Sequence, residues 1–250
     1  MSHIRNSTNQ FEPGTFESYG ALLASSTEYN VKARDDLLNL LPPCSLDSII
    51  EFGCADGTNL RHFMKALNIE RGVGVDISNQ AQLENNGISF YHTTIENFLE
   101  ESKEKFDLVL LSDVLEHTYN PWKLLRKIKK LINNNGFLLI SIPNIENLNY
   151  AGRFLSGNFY YEKTGLMDET HIRFFSKCTI EHYLTSAGYS VLRSAFREDS
   201  SLRHVKLSLL EKLSESREVF IRVNDFQVKI DSDNIDRKLG QQILILAKNA

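Results

Sequence analysis

The chain has 250 residues, 42% of them hydrophobic, and a formal net charge of −4. That is enough apolar material for a full core, and the acidic balance excludes a global attraction to nucleic acid or an anionic membrane. The three cysteines, Cys44, Cys54 and Cys178, form no C-x-x-C pair, which fits a reducing compartment and gives no cysteine frame for a metal. The sequence shows neither a signal segment nor an apolar run of ~20 residues, so we expect a cytoplasmic protein.

The N-terminal residues 1–27 are mostly polar and include Pro13 and Gly14. We expect them to form a loosely held arm, followed by one domain over residues 28–250. Residues 28–41 carry apolar side chains at helical spacing and precede Pro42 and Pro43, which predicts a helix that ends there.

The stretch over residues 48–60 organises the rest of the chain. An apolar run ends in Glu51, small residues follow through Gly57, and helical spacing begins at Leu60. This pattern predicts a strand, a tight turn and a helix, the first unit of an open α/β sheet. Gly53 and Gly57 allow a sharp bend and a close approach of a ligand to the backbone. In such sheets ligands bind beyond the carboxyl ends of the strands.

The turn does not match the dinucleotide fingerprint G-x-G-x-x-G. That pattern, placed on Gly53, requires glycine where this chain has Ala55 and Thr58. A tight turn that binds no ligand is the other interpretation of this stretch taken alone.

Two more apolar runs end in polar residues. Residues 71–76 predict a strand that ends in Asp76, which follows Gly53 at close to the ~20-residue spacing of an acid that binds a ribose. Asp76 is alternatively the N-cap of a helix predicted over residues 78–86, although Ser78 can serve as that cap. Residues 88–91 predict another strand. Residues 106–112 are apolar throughout, as in a strand buried on both faces, and lead into Asp113, Glu116 and His117.

These motifs resemble the class I S-adenosylmethionine-dependent methyltransferases. The pattern E-x-G-x-A-x-G over residues 51–57 is similar to motif I of that family, D/E-x-G-x-G-x-G, with Ala55 at the middle glycine. FDLVLLSDVLEH over residues 106–117 looks like the family segment FDxVxxxxVLEH. The resemblance implies an α/β, Rossmann-like, doubly wound sheet of seven strands with the last strand antiparallel. It also implies S-adenosyl-L-methionine as cofactor and S-adenosyl-L-homocysteine as product.

The resemblance assigns roles to residues at the strand ends. Glu51 would hold the methionyl ammonium, Asp76 the ribose, and the Ser112 carbonyl would lie beside the sulfonium. Thr94 stands where many members have Asp near the adenine, and its hydroxyl is a weaker acceptor. The expected cofactor contacts are Glu51, Gly53, Cys54, Ala55, Asp56, Gly57, Asp76, Ile77, Thr94, Ile95 and Ser112.

The second half of the chain continues the alternation of helices and strands. Asn120 and Pro121 predict a helix start, with an apolar stripe through Ile132, and residues 137–142 predict a buried strand. Residues 144–175 are rich in aromatics and glycine, and we interpret them as a lid or substrate loop, since long irregular insertions are usually functional. Ser176 predicts the start of the next helix, which Gly188 ends.

The pattern I-P-N…G-L-x-D-x-T-H-x-R-F-F-S…A-G-Y from residue 142 to 189 is similar to a bacterial branch of the family that is grouped with cell-surface glycan (polysaccharide) biosynthesis. The full resemblance covers about residues 28–195. Residues 200–235 form an unmatched insert, predicted as a helix over 202–213 and a hairpin-like stretch, and residues 241–248 predict the antiparallel last strand. The insert is interpreted either as a homodimer contact or as part of the acceptor pocket.

The candidate general bases are first His117 and His171, with Asp113 and Glu116 behind them. Histidine titrates near neutral pH, which suits proton removal from a hydroxyl acceptor. The alternatives are a capping or packing role for His117 and a loop-shaping bond for His171. Asp168, Glu169 and His171 are also metal-ligand residue types, but no further cluster supports them in the sequence, so we expect no metal.

The favoured function is methylation of a small-molecule acceptor, first an oxygen of a sugar or nucleotide-sugar glycan precursor, a substrate class that rests on family analogy. The alternatives are an aromatic or quinone-type acceptor, and a non-catalytic module that binds S-adenosylmethionine or a partner protein. DNA-base methylation is disfavoured, because neither N-P-P-Y nor N-P-P-F follows the strand at 106–112 and no basic face is evident.

Overall fold

The structure is a computed structural model that describes residues 33–78, 87–223 and 225–249. The predicted arm, the start of the helix predicted from residue 28, and residues 79–86 of the helix predicted after Ser78 lie outside the described residues.

The described residues contain one large mixed sheet. Its strands are β1 (Ser48–Phe52), β2 (Arg71–Asp76), β3 (Ile88–His92), β4 (Phe106–Ser112), β5 (Ile132–Pro143), β6 (Tyr189–Glu198) and, after two hairpin strands β7 (Glu218–Val223) and β8 (Phe226–Asp231), β9 (Gly240–Asn249). The sheet order is β3-β2-β1-β4-β5-β9-β6. The pairs from β3 to β5 are parallel, and β9 is antiparallel to both β5 and β6. The predicted seven-stranded fold with an antiparallel last strand is therefore confirmed.

Helices alternate with these strands along the chain. They are α1 (Asp35–Leu38), α2 (Thr58–Leu67), α3 (Ile95–Glu101), α4 (Pro121–Ile128), α5 (Leu148–Leu155), α6 (Lys177–Ser186), α7 (Arg203–Glu215) and α8 (Ile235–Leu239), with short 3₁₀ turns at Leu115–His117, Lys129–Leu131 and Ser200–Leu202. None of the helices in the described part of the chain has both the length and the apolar character needed to cross a bilayer.

The sheet is covered on both faces, which is why its central strands are almost continuously apolar. In β4, Leu108 and Leu110 join the core on the α2 side, and Val109 and Leu111 join the core on the side of α3, α4 and α6. Since side chains alternate along a strand, one run of four apolar residues serves both cores. Because β1 is parallel to its neighbours β2 and β4, the carboxyl ends of the three strands lie at the same edge of the sheet.

Several elements differ from the sequence prediction. The apolar stripe predicts a helix that continues through Ile132, but α4 ends at Ile128 and a 3₁₀ turn follows over Lys129–Leu131. In the described part, α1 ends at Leu38, and only a tight turn with a bond from the Leu41 N–H to the Leu38 carbonyl continues it toward Pro42. The strand predicted from residue 137 begins at Ile132, because this residue already pairs with Phe106 across an irregular register. The region 144–175, predicted as irregular, contains α5.

The insert at 200–235 contains the predicted helix and hairpin, as α7 and the β7–β8 pair. Leu209, Ile230, Ile235 and Leu239 form a small core of their own. Leu148 of α5 packs against this core, so the insert adjoins the region predicted as a lid.

Candidate active site

The turn between β1 and α2 is built on left-handed backbone. Gly53 and Gly57 have φ of 70° and 78°. A Cβ on Gly53 would lie 2.8 Å from the Val114 side chain, and one on Gly57 would lie 2.7 Å from the Phe90 ring. Both positions therefore require glycine for conformation and for space.

Ala55 has φ of 46° at the position where the resemblance expects glycine. Its N–H donates to Oδ2 of Asp76 at 2.7 Å, which holds the turn against the end of β2. Alanine in the left-handed region costs about 1–2 kcal/mol relative to glycine. Asp56 shapes the next step, since its carboxylate accepts from the Thr58 N–H and hydroxyl at 2.9 Å where α2 begins.

Glu51 is a buried carboxyl at the end of β1, with 2% of its surface exposed. Asn59 donates to Oε1 at 2.7 Å, while Oε2 has no hydrogen-bond partner among the described residues. Burial, and next the charge of Asp76, raise the pKa of Glu51 to about 7. An orphaned buried acceptor at a strand end is expected where a ligand supplies the missing donor.

Asp76 ends β2 beside the glycine turn. Its Oδ2 accepts from Ala55, and its Oδ1 accepts from the N–H and hydroxyl of Ser78, each at 2.7 Å. A carboxylate has about four acceptor positions, so one stays open. Cys54 lies buried in the turn, where burial raises the pKa of its thiol, and Ile77 is half-buried next to Asp76.

Thr94 lies at the start of α3, a helix that the sequence analysis did not predict. Its hydroxyl oxygen accepts from the Asn97 N–H at 3.2 Å and so caps that helix, and Ile95 is the first helical residue. Both residues follow β3, on the same strand-end side as Asp76, because His92 pairs with Asp76 across β2 and β3.

Asp113 follows β4 with φ of 55° and is held on both carboxylate oxygens. Arg34 donates to Oδ2 at 3.0 Å, and Ser141 and Gln242 donate to Oδ1 at 3.1 and 2.7 Å. Arg34 is itself buried and also bonds Asp36. The preceding residue, Ser112, has a buried hydroxyl oxygen without a partner in the described part of the chain.

The structure brings His117 and His171 together, although they are far apart in the sequence. Their ring centroids lie 4.7 Å apart in an edge-to-face arrangement. His171 is buried and His117 half-buried. Burial first, and His171 second, lower the pKa of His117 to about 4, so that its imidazole is neutral at physiological pH.

Comparison with known proteins decides the family. Residues 26–194, more than half of the chain, match the family described as "Methyltransferase domain". The chain belongs to this family. Its sheet order, glycine turn and strand-end acids make it a class I S-adenosylmethionine-dependent methyltransferase by fold, as the sequence resemblance implied.

Two curated relatives are each named for O-methyl transfer in ubiquinone biosynthesis. The mitochondrial protein of Dictyostelium discoideum is 23% identical over 175 residues, 63% of this chain and 54% of that one. The protein of Glaesserella parasuis is 32% identical over 108 residues, 38% of this chain and 45% of that one. The matches thus span about half the length of these relatives.

The fold is shared with solved methyltransferases. The crystal structure of a SAM-dependent methyltransferase from Archaeoglobus fulgidus superposes with a TM-score of 0.56 at 19% identity and covers 94% of this chain and 95% of that one. This likeness concerns the fold.

The residues of this methyltransferase fit its cofactor. Glu51 offers an unpartnered buried acceptor, Asp76 an acidic strand end, and the stretch from Gly53 to Gly57 a tight turn with left-handed backbone. The sequence analysis missed Asn59 and Arg34, which orient Glu51 and Asp113. Neither belongs to a local pattern, because each acts on a residue on another element.

Proposed function

We propose that the protein transfers the methyl group of S-adenosylmethionine to an oxygen of a small-molecule acceptor. The observation that carries the proposal is Glu51, a buried carboxyl with one unpartnered oxygen at the carboxyl end of a central strand. The O-methyltransferase names of both curated relatives support oxygen as the acceptor atom.

The cofactor supplies a methyl group activated on a sulfonium, so the chain must mainly bind, align and exclude water. Oε2 of Glu51 accepts from the methionyl ammonium, while Asn59 keeps the carboxyl in place. Asp76 accepts from the ribose hydroxyls in exchange for the bonds of Ser78. The backbone from Gly53 to Gly57 lines the methionyl and ribose portions, and Ser112 lies toward the sulfonium.

The adenine contacts are assigned to Thr94 and Ile95. The Thr94 hydroxyl oxygen already caps α3 through the Asn97 N–H, and its second lone pair accepts from the exocyclic amine. Ile95 supplies an apolar face.

A hydroxyl acceptor must also lose its proton. His117 and His171 are the groups assigned to this step, and His117 is neutral at physiological pH, as a base must be. Asp113 already accepts on both oxygens from three donors, which favours a positioning role. Replacing a true base lowers turnover by ~10²–10⁴ with little change in cofactor affinity.

Two classes of acceptor are candidates, an aromatic or quinone-type molecule and a sugar or nucleotide-sugar, and different observations favour each. The names of the curated relatives and the exposed aromatic side chains of Phe159, Tyr160 and Tyr161 favour an aromatic or quinone-type acceptor. The sequence pattern over residues 142–189 favours a sugar or nucleotide-sugar. We rank the aromatic acceptor first, since it rests on the relatives as well as on the chain itself.

The cofactor assignment is tested by calorimetric titration with S-adenosylmethionine. We expect micromolar binding that falls by about ten-fold or more in both Glu51→Gln and Asp76→Asn, because each loses a charge-assisted bond. Asp107→Asn is the matched control: this carboxyl holds Ser48 and Asn133 at the opposite end of the same strands. Absence of binding to the wild-type protein would refute the proposal, as would unchanged affinity in both site variants.

The acceptor class is tested by transfer of radiolabelled methyl to catechols, hydroquinones and nucleotide-sugars in parallel, with His117→Ala, His171→Ala and Asp113→Asn beside the wild type. Label on a catechol or hydroquinone oxygen supports the first ranking, and label on a sugar reverses it. Tight cofactor binding with no transfer to any acceptor would favour the non-catalytic binding module.

The remaining assignments are also part of this proposal. Residues 144–175 act as the acceptor-side loop of a domain that spans 28–250, with residues 1–27 as an arm, and the protein acts in the cytoplasm, with a homodimer as the assembly to test. Light scattering on a variant that lacks the hairpin, residues 217–232, would separate a dimer contact from a pocket role for the insert.

A further inference from the structure

Two distant segments meet beside the end of β4. The 3₁₀ turn Leu115–His117 lies against residues 166–173, and the backbone N–H groups of Ile172 and Arg173 donate to the Glu116 carbonyl at 2.9 and 3.0 Å. This contact brings together the side chains of Glu116, His117 and His171. One carboxylate oxygen and one ring nitrogen from each histidine lie within 4.8 Å of one another.

Backbone carbonyls fix the tautomer of both histidines. Nδ1 of His117 lies 3.2 Å from the Thr170 carbonyl oxygen, and Nδ1 of His171 lies 2.9 Å from that of Leu166. A carbonyl oxygen only accepts, so each Nδ1 carries a proton, and in the neutral tautomer that this bond selects the lone pair lies on Nε2. A histidine that donates its other N–H to a backbone carbonyl is typical of metal ligands.

Glu116 completes an all-acceptor cluster. The residue is 1% exposed, and neither carboxylate oxygen has a hydrogen-bond partner among the residues that the structure describes. An ionised carboxyl without partners is costly to bury, and buried charges are paired or coordinate metals. A cation between these three groups would give the carboxylate oxygens and the two imidazoles a shared partner.

We propose that Glu116, His117 and His171 bind one divalent transition-metal ion. Two imidazoles and one carboxylate are the protein ligands of catalytic zinc sites and of facial-triad iron sites, while Mg²⁺ and Ca²⁺ prefer oxygen ligands alone. Ligand atoms of a tetrahedral ion lie about 3.4 Å apart for bonds of ~2.1 Å, so the cluster closes by a small rotation of side chains. This assignment revises the sequence expectation of no metal, which considered only Asp168, Glu169 and His171.

An ion bound by this cluster would have a coordination site free for the acceptor oxygen; this part of the inference rests on the proposed function. Three protein ligands leave at least one coordination site for a further oxygen. His117 is half-buried and gives access from solvent. An ion held by these residues would lower the pKa of a coordinated hydroxyl and so ease the loss of its proton. With an ion bound, His117 and His171 would serve as ligands in place of the general-base role proposed above, and the ion would take over the activation of the acceptor hydroxyl. The acceptor class that gains most is one with two adjacent oxygens.

The test begins with metal binding alone, on untagged protein stripped with a chelator. Co²⁺ is titrated by visible absorption and Zn²⁺ by calorimetry, and metal content is counted after dialysis. We expect one ion per chain, the d–d bands of a four- or five-coordinate site, and a rise in Tm of about 5–10 °C at saturation. No stoichiometric binding by the wild-type protein would overturn the proposal without recourse to variants.

Variants then locate the ion. Glu116→Gln keeps the shape of the side chain, and His171→Asn puts a smaller polar side chain in place of the imidazole. We expect the metal affinity to fall by about 100-fold or more in each, since loss of an outer partner alone costs about 10–100-fold. His182→Asn, an exposed histidine of α6, is the matched control and should bind as the wild type does. Equal binding in all three variants would place the ion elsewhere and overturn the assignment.

S-Adenosylmethionine titration of the same metal-free samples separates the two proposals. Metal binding without cofactor binding leaves the site in place and refutes the proposed function. Cofactor binding and methyl transfer that are complete in chelator, with no metal bound, leave the proposed function in place and refute the role of the ion in holding the acceptor.

Discussion

Glu51, to which we assign the methionyl ammonium, makes the stability of the fold depend on pH, and Glu51→Gln makes this dependence measurable. The carboxyl is buried at the end of β1, and its pKa stands at about 7, above the model-peptide value of 4.5. Because the folded state binds the proton more tightly than the unfolded chain does, the contribution of Glu51 to stability is fully present below pH 4.5 and is lost as the pH rises through 7.

The magnitude follows from the size of this pKa difference. Ionising Glu51 in the folded state costs the wild-type protein about 3 kcal/mol by pH 8, since each pKa unit is worth about 1.4 kcal/mol. Glutamine has no charge to desolvate, and its oxygen still accepts from Asn59. The amide NH₂ of the glutamine takes the place of the unpartnered oxygen and lacks an acceptor there. Burying this group lowers the stability gained by the substitution by about 1 kcal/mol. Without cofactor, the free energy of unfolding of Glu51→Gln should therefore exceed that of the wild type by about 2 kcal/mol at pH 8 and equal it at pH 5.

Urea denaturation of the cofactor-free proteins at pH 5 and pH 8 measures this difference. The comparison of variant with wild type at each pH cancels the other titrating groups. Glu100 is an exposed carboxyl on α3 and serves as the control. The stability of Glu100→Gln should stay within about 0.5 kcal/mol of the wild-type value at both pH values. A wild-type protein that is more stable than Glu51→Gln at pH 8 would refute the burial argument.

Three substitutions, with Gly152→Ala as a control, test the backbone and the ion pair around the site by urea denaturation. Ala55→Gly should stabilise the protein by up to about 1 kcal/mol by relieving a left-handed alanine, and a loss of stability would contradict that reasoning. Gly74→Ala should cost about 1–3 kcal/mol, because its Cβ would lie 2.6 Å from an aromatic ring, whereas Gly152→Ala, with its nearest contact at 3.5 Å, should not destabilise. Arg34→Gln should cost about 2–4 kcal/mol by leaving Asp113 without its ion pair, and a cost below 1 kcal/mol would show that the pair is dispensable.

The parts of this fold that the sequence predicted are those set by neighbouring residues. The turn from Gly53 to Gly57 follows from small residues between an apolar run and a helical pattern. The capped starts of α4 and α6 follow in the same way from Asn120 and Ser176.

The parts that the sequence did not predict depend on partners far along the chain. Asn133 to Asn135 resemble a loop by propensity, yet they lie in β5, which begins where Ile132 pairs with Phe106. Within the site, the meeting of His117 with His171 depends on the packing of residues 166–173 against the turn after β4. Each histidine was a candidate by itself, but their proximity and the isolation of Glu116 could not be derived from spacing.

The position of β9 determines the order in which the molecule can assemble. Residues 240–249 lie between β5 and β6 in the sheet, so β6 has no sheet neighbour until residues beyond the insert have been synthesised. The parallel strands from β3 to β5 can pair earlier, which leaves the long apolar edge of β5 open in the meantime. An open edge of this kind promotes association between chains. During synthesis, the residues that close the sheet thus also protect the nascent protein from aggregation.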